Sequence, residues 1–185
     1  MSDLTNALIA AAAVAALTAL RAASKSSKTR GPRRTTPRTG PRAKPPGPRP
    51  AYPGDFTGSV GVSYAPSING APDPGEIVWT WVPYEEDFEQ GKDRPVLLIG
   101  RDGAWLLGLM LTSKDHNRDA ADEARWGRHW MDIGAGSWDS HGRPSEIRLD
   151  RVVRVDSRLV RREGAILDEA RFDAVISAAR KANHW

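Results

Sequence analysis

The sequence predicts a small, mainly β domain: a barrel with one C-terminal helix, behind an N-terminal appendage. Three observations carry that prediction. Residues 77–82 (IVWTWV), 96–99 (VLLI) and 105–111 (WLLGLML) are short apolar runs, β-branched or aromatic, each bounded by Gly, Pro or Asp. Residues 145–155 (SEIRLDRVVRV) alternate polar and apolar, the pattern of a strand with one face in the core. Residues 168–182 place Ala170, Phe172, Ala174, Val175, Ile176 and Ala179 at helical spacing, a single stripe that can pack on the body.

In chain order, residues 1–23 contain an alanine-rich run, 7–20, interrupted by Arg21. Alanine has the best helix propensity, so a helix is expected. A membrane span needs about 20 apolar residues and alanine contributes little transfer energy. The two readings are therefore a soluble helix and a membrane contact through residues 7–20. In the second, the cations that follow would stay on the cytoplasmic side; in both, the domain behind them is cytoplasmic. Residues 24–50 (SKSSKTRGPRRTTPRTGPRAKPPGPRP) hold no large apolar side chain and read as a disordered, Pro-rich basic linker. Residues 51–74 form a lead-in, in which Phe56, Val60, Val62 and Tyr64 alternate as one edge strand would.

The barrel domain is expected over 75–185. Between its first two strands lies a charged loop, 84–94, closed by Arg94-Pro95. After the third strand, 117–128 reads as a polar loop or a single helical turn. A strand at 129–133 follows, then a turn-rich connection over 134–144 (GAGSWDSHGRP). Residues 160–166 add a last short strand with a turn at Gly164. Asp168 or Leu167 starts the helix, where a carboxylate suits the helix dipole.

Charge and composition exclude some functions. Residues 24–50 carry nine cations and no acid, and 1–23 balance Asp3 against Arg21. With a whole-chain charge of +4, residues 51–185 are left at −5. A basic tail thus precedes an acidic domain, which argues against a globally basic nucleic-acid-binding body. There is no cysteine, hence no disulfide frame or thiolate metal site. The histidines, His116, His129, His141 and His184, lack metal-ligand spacing, so no metal and no cofactor are expected. Trp79, Trp81 and Trp105 lie in strand patterns and are expected in the core or at a dimer interface. An arginine entering one strand, Arg94, and a hydroxyl leaving the next, Thr112, can meet at one end of a small barrel.

Several stretches resemble the PemK/MazF family: residues 75–79 (GEIVW), 89–99 (EQGKDRPVLLI), 111–114 (LTSK), 145–156, Arg158-Leu159 and the final helix. The resemblance covers about 75–182. It implies an SH3-like β-barrel with a C-terminal helix, usually a homodimer, acting as the toxin of a bacterial type II toxin–antitoxin pair. The implied activity is metal-free cleavage of single-stranded RNA at short sequences, neutralised by a cognate antitoxin. Arg94 matches the family's catalytic arginine and Thr112 its catalytic threonine or serine. Arg148 and Asp150 resemble the Arg-x-Asp element that serves as acid and base. Glu89 and Gln90 match the groove-shaping loop, and Lys92, Ser113, Lys114 and His116 stand beside these positions as RNA contacts. Asp150 or Glu89 is expected to take the 2′-hydroxyl proton. The general acid is Arg148 by resemblance, with water or a carboxylic acid as alternatives, because an arginine is a poor acid. The competing reading is a non-catalytic SH3-like module that binds RNA or protein, tethered by its N-terminal helix.

Overall fold

A computed structural model describes residues 51–116 and 120–183. The expectations for residues 7–20 and 24–50 lie outside them. Among the described residues no helix is long and apolar enough to cross a membrane.

The apolar runs form strands where predicted: β1 (Glu76–Pro83), β2 (Gly91–Asp102), β3 (Trp105–Thr112), β4 (Trp130–Gly134), β5 (Ser145–Val155) and β6 (Arg162–Ile166). A short helix, α1 (Ala120–Arg125), precedes β4, and α2 (Glu169–Asn183) ends the domain. All pairings are antiparallel, in the order β4-β5-β3-β2-β1-β6. The sheet rolls into a half-barrel. Arg151 of β5 donates through Nη1 to the Pro83 carbonyl that ends β1, 3.0 Å away, although β3 and β2 stand between those strands.

Each face of the rolled sheet has its own apolar layer. On one, Ile77, Leu97, Leu109, Leu111 and Ile147 pack against Phe172, Val175, Ile176 and Ala179 of α2. Those four helix positions follow the i, i+3, i+4, i+7 stripe; Ala170 and Ala174 of the expected set face solvent. Asp168 caps α2 by accepting the Arg171 N–H at 3.0 Å. On the other face, Val78, Val96, Leu98, Leu106, Met110 and Val153 form a second layer.

Three expectations are corrected and a fourth is narrowed. The lead-in makes no edge strand. It touches the sheet only at single bridges, Phe56–Val152 and Val62–Gly100, because Pro53, Gly54, Gly58 and Gly61 break its run. Gly164 lies inside β6, not in a turn. The β1–β6 register slips there, and a Cβ on Gly164 would stand 2.6 Å from the Ile77 carbonyl oxygen. The 134–144 connection is more than a turn. It buries Trp138, whose indole donates to Ser145 Oγ at 3.1 Å and whose carbonyl accepts from Trp79 Nε1 at 2.8 Å. Trp79, Trp81 and Trp105 are half-buried, which removes the core alternative and leaves the dimer interface.

Candidate active site

The end of the sheet at which β1 meets β2 in a hairpin gathers the polar side chains. The β2–β3 ladder runs only as far as Val96–Met110. The next residue of β2 is Pro95, which has no N–H to offer a ladder. Two positions beyond that last pair, on the same face, stand Arg94 and Thr112. They flank one cleft of about 140 Å³, together with Trp79, Asp93, Ser113, Asp139 and Arg143. Residues far apart in sequence thus meet because antiparallel register brings the start of one strand to the end of the next.

The two side chains differ from their neighbours in what they leave free. Arg94 is half-buried, yet among the described residues its guanidinium makes no hydrogen bond and no ion pair. The Thr112 hydroxyl oxygen accepts the Lys114 N–H at 3.1 Å, so its own O–H is left to donate. Arg94 also lines a second cleft of about 150 Å³, with Arg128, Arg148, Arg151, Glu85 and Met110. The other arginines there are committed. Arg148 binds Asp150 through Nε and Nη2 at 3.0 and 2.8 Å, and Glu85 through Nη1 at 2.9 Å. Arg151 holds Asp55 at 2.7 Å, and Arg128 approaches Glu123 at 3.6 Å.

Arg148 and Asp150, the expected acid and base, are paired with each other. Burial pulls the Arg148 pKa down, but hydrogen bonds to Asp150 and Glu85 outweigh it and hold the guanidinium above its ordinary value. Arg148 therefore gives up a proton even less readily than a free arginine. Asp150 spends one oxygen on Arg148 and the other on the His129 N–H at 2.7 Å. Glu89 lines a different cleft of about 390 Å³, beside Tyr52, Trp81, Phe88, Trp105 and Arg154. Gln90 binds Asp87 at 2.8 Å within the β1–β2 loop, and Lys92 lies 5.9 Å from the Tyr84 ring centroid. Ser113 and Lys114 are exposed on the turn after β3.

His116 is not an exposed loop residue. It is buried, stacked flat on Trp130 at 4.0 Å between ring centroids, and its Nδ1 lies 2.7 Å from Glu146 Oε2. Glu146 is itself buried and is the cross-strand partner of Thr112. Sequence reasoning missed Glu146, Asp139 and Arg143. The signal for Glu146 was present: Glu146, Arg148 and Asp150 alternate along one strand and share a face. Asp139 accepts from Arg143 Nε at 2.7 Å and from the His141 N–H at 2.9 Å. Those hydrogen bonds hold its carboxyl below the usual carboxylate range. Among the described residues, no three His, Asp or Glu side chains converge in a way that could hold a metal ion.

Residues 73–182 match the family described as PemK-like, MazF-like toxin of type II toxin-antitoxin system. The chain belongs to that family. No curated protein matches it. Similar solved structures include a chain of MazE-MazF from Deinococcus radiodurans, with 17% identity, 60% of this chain and 94% of that chain covered, and a TM-score of 0.42. Another is the Mycobacterium tuberculosis toxin MazF-mt6, with 18% identity, 58% and 94% covered, and a TM-score of 0.38. The PemK/MazF match begins at residue 73, so most of the lead-in, including Tyr52, Asp55 and Phe56, lies outside it.

Proposed function

We propose that this PemK/MazF-family chain is a metal-independent endoribonuclease that cuts single-stranded RNA at a short sequence and is held in check by a cognate antitoxin. One observation carries the reading: a half-buried arginine with no hydrogen-bond or ion-pair partner among the described residues shares a cleft with a threonine whose hydroxyl proton is free to donate. A cation placed so needs an anion, and the planar fork of Arg94 fits two phosphoryl oxygens at once. Charge builds on those oxygens as the ribose 2′-oxygen attacks phosphorus. A fixed guanidinium therefore stabilises the transition state more than the ground state. Thr112 adds one hydrogen bond to the same oxygens, and Arg143 lines the same cleft. A homodimer and docking of the antitoxin over these clefts follow from family membership as part of the same proposal.

The test is incubation of the purified chain with unstructured RNA in EDTA. Cleavage should leave 2′,3′-cyclic phosphate and 5′-hydroxyl ends at a recurring short sequence. Binding of RNA without cleavage under every condition would favour the alternative, a non-catalytic SH3-like binding module.

A further inference from the structure

Both carboxylates that the sequence offers as proton acceptors are engaged elsewhere, Asp150 by Arg148 and the His129 N–H, and Glu89 in a separate cleft. A different pair lies on the sheet face that carries Thr112. Glu146, opposite Thr112 across the β3–β5 ladder, accepts the His116 N–H at 3.0 and 3.2 Å and faces His116 Nδ1 at 2.7 Å. An ionised carboxylate can only accept, so Nδ1 carries the hydrogen, and in the neutral ring Nε2 holds the lone pair. Among the described residues Nε2 has no hydrogen-bond partner, and no fully buried polar side-chain atom is left unpaired, so Nε2 keeps some contact with solvent although the residue is only 7% exposed. Trp130, the cross-strand partner of Arg148, stacks under the ring and fixes its plane. The imidazole therefore sits over the sheet face that also carries Thr112 and Arg148, four residues after Thr112 on the same turn. One nitrogen is locked by a carboxylate and the other is free, the arrangement by which a base is oriented in acyl-transfer triads.

We infer that His116 is the general base of the cleavage and that Glu146 is its positioning residue; this rests on the nuclease reading above. His116 Nε2 takes the 2′-hydroxyl proton and the 2′-oxygen bonds to phosphorus. The P–O5′ bond then breaks with its electron pair on O5′, which takes a proton from water. The imidazolium afterwards returns its proton to solvent. The charged groups around the ring are Glu146 and Arg148 of β5, Asp132 of β4 beside Glu146, Glu123 of α1, which accepts from the Trp130 indole at 3.4 Å, and Lys114 and Asp115 of its own turn.

The experiment is single-turnover RNA cleavage in EDTA by the full chain, from about pH 5 to 9, which brackets imidazole titration. Wild type should lose rate on the acid side with a slope of one proton. His116→Gln should be about 10²- to 10⁴-fold slower and lack that acid limb. Added imidazole should restore rate to His116→Ala but not to Arg94→Ala. Glu146→Gln should move the acid limb to lower pH, because losing a carboxylate makes the imidazole less basic. A folded His116→Gln that keeps both the wild-type rate and the acid limb overturns the inference. If that variant does not fold, NMR of the imidazole nitrogens in wild type decides. Nε2 should lose its lone pair as the rate falls, and an Nε2–H present at all pH values overturns the assignment. Wild type that cuts no RNA ends the nuclease reading, and this inference with it. Cleavage that depends on Arg94 but not on His116 ends this inference alone.

Discussion

In the proposed nuclease, Thr112 combines a structural and a chemical task. Its oxygen closes the turn after β3 by accepting the Lys114 N–H, and that same bond aims its proton away from the backbone. Thr112→Ser keeps both functions and should cleave RNA within a few-fold of wild type. Thr112→Ala removes the donor and should lower kcat by about 10²-fold, the cost of deleting one transition-state hydrogen bond. Steady-state cleavage assays separate the two, and equal rates for Ser and Ala would contradict a donating role. That Arg94 and Thr112 would meet at one end of the sheet was readable from sequence, because each borders an apolar run whose strand character is plain. The His116–Glu146 pair was not readable. The partners are 30 residues apart, and their meeting depends on α1, on β4 pairing with β5, and on stacking against Trp130.

The β1–β2 hairpin is the element that places Arg94, and its glycine explains itself physically. A Cβ on Gly91 would collide with the Val82 carbonyl oxygen and the Trp81 ring, so the motif tolerates no side chain three residues before Arg94. Gly91→Ala should destabilise the domain by about 1–3 kcal/mol, measured by urea unfolding, and should reduce cleavage more than binding as Arg94 shifts. Wild-type stability for this variant would mean that the hairpin can open at no cost. The lead-in is fixed by a different device. Asp55 neutralises Arg151, whose side chain is only 6% exposed. Asp55→Ala leaves that charge buried with only the Pro83 carbonyl as partner, and should cost about 3 kcal/mol or more in the same assay. Neither this anchor nor the bulge at Gly164 was visible in the sequence, because an alternating pattern reports which face is buried but not where a ladder slips.

For the domain as a whole, an acidic body carries a cleft lined with arginines, and carboxylates in that cleft and elsewhere set its acid limit. Asp139 is held below its ordinary pKa by Arg143 and by the His141 N–H, and Asp156 by Arg158 despite its burial. A carboxylate depressed in the fold adds stability that is fully present above its unfolded-state value, about 3.9 for Asp, and lost as pH falls through the lower folded value. The Tm gap between wild type and Asp139→Asn should therefore be constant above about pH 5 and close below about pH 4. A gap that widens on acidification would reverse the assignment.

The most direct measurement is single-turnover cleavage of a single-stranded RNA in EDTA by Arg94→Ala and Arg94→Lys, each checked for wild-type circular dichroism and melting. Arg94→Ala should be slower by at least about 10²- to 10³-fold, with Arg94→Lys recovering only part of that, since a lysine keeps the charge but not the fork. A folded Arg94→Ala that cleaves at the wild-type rate would show that the unpaired guanidinium beside Thr112 does not act on the phosphate.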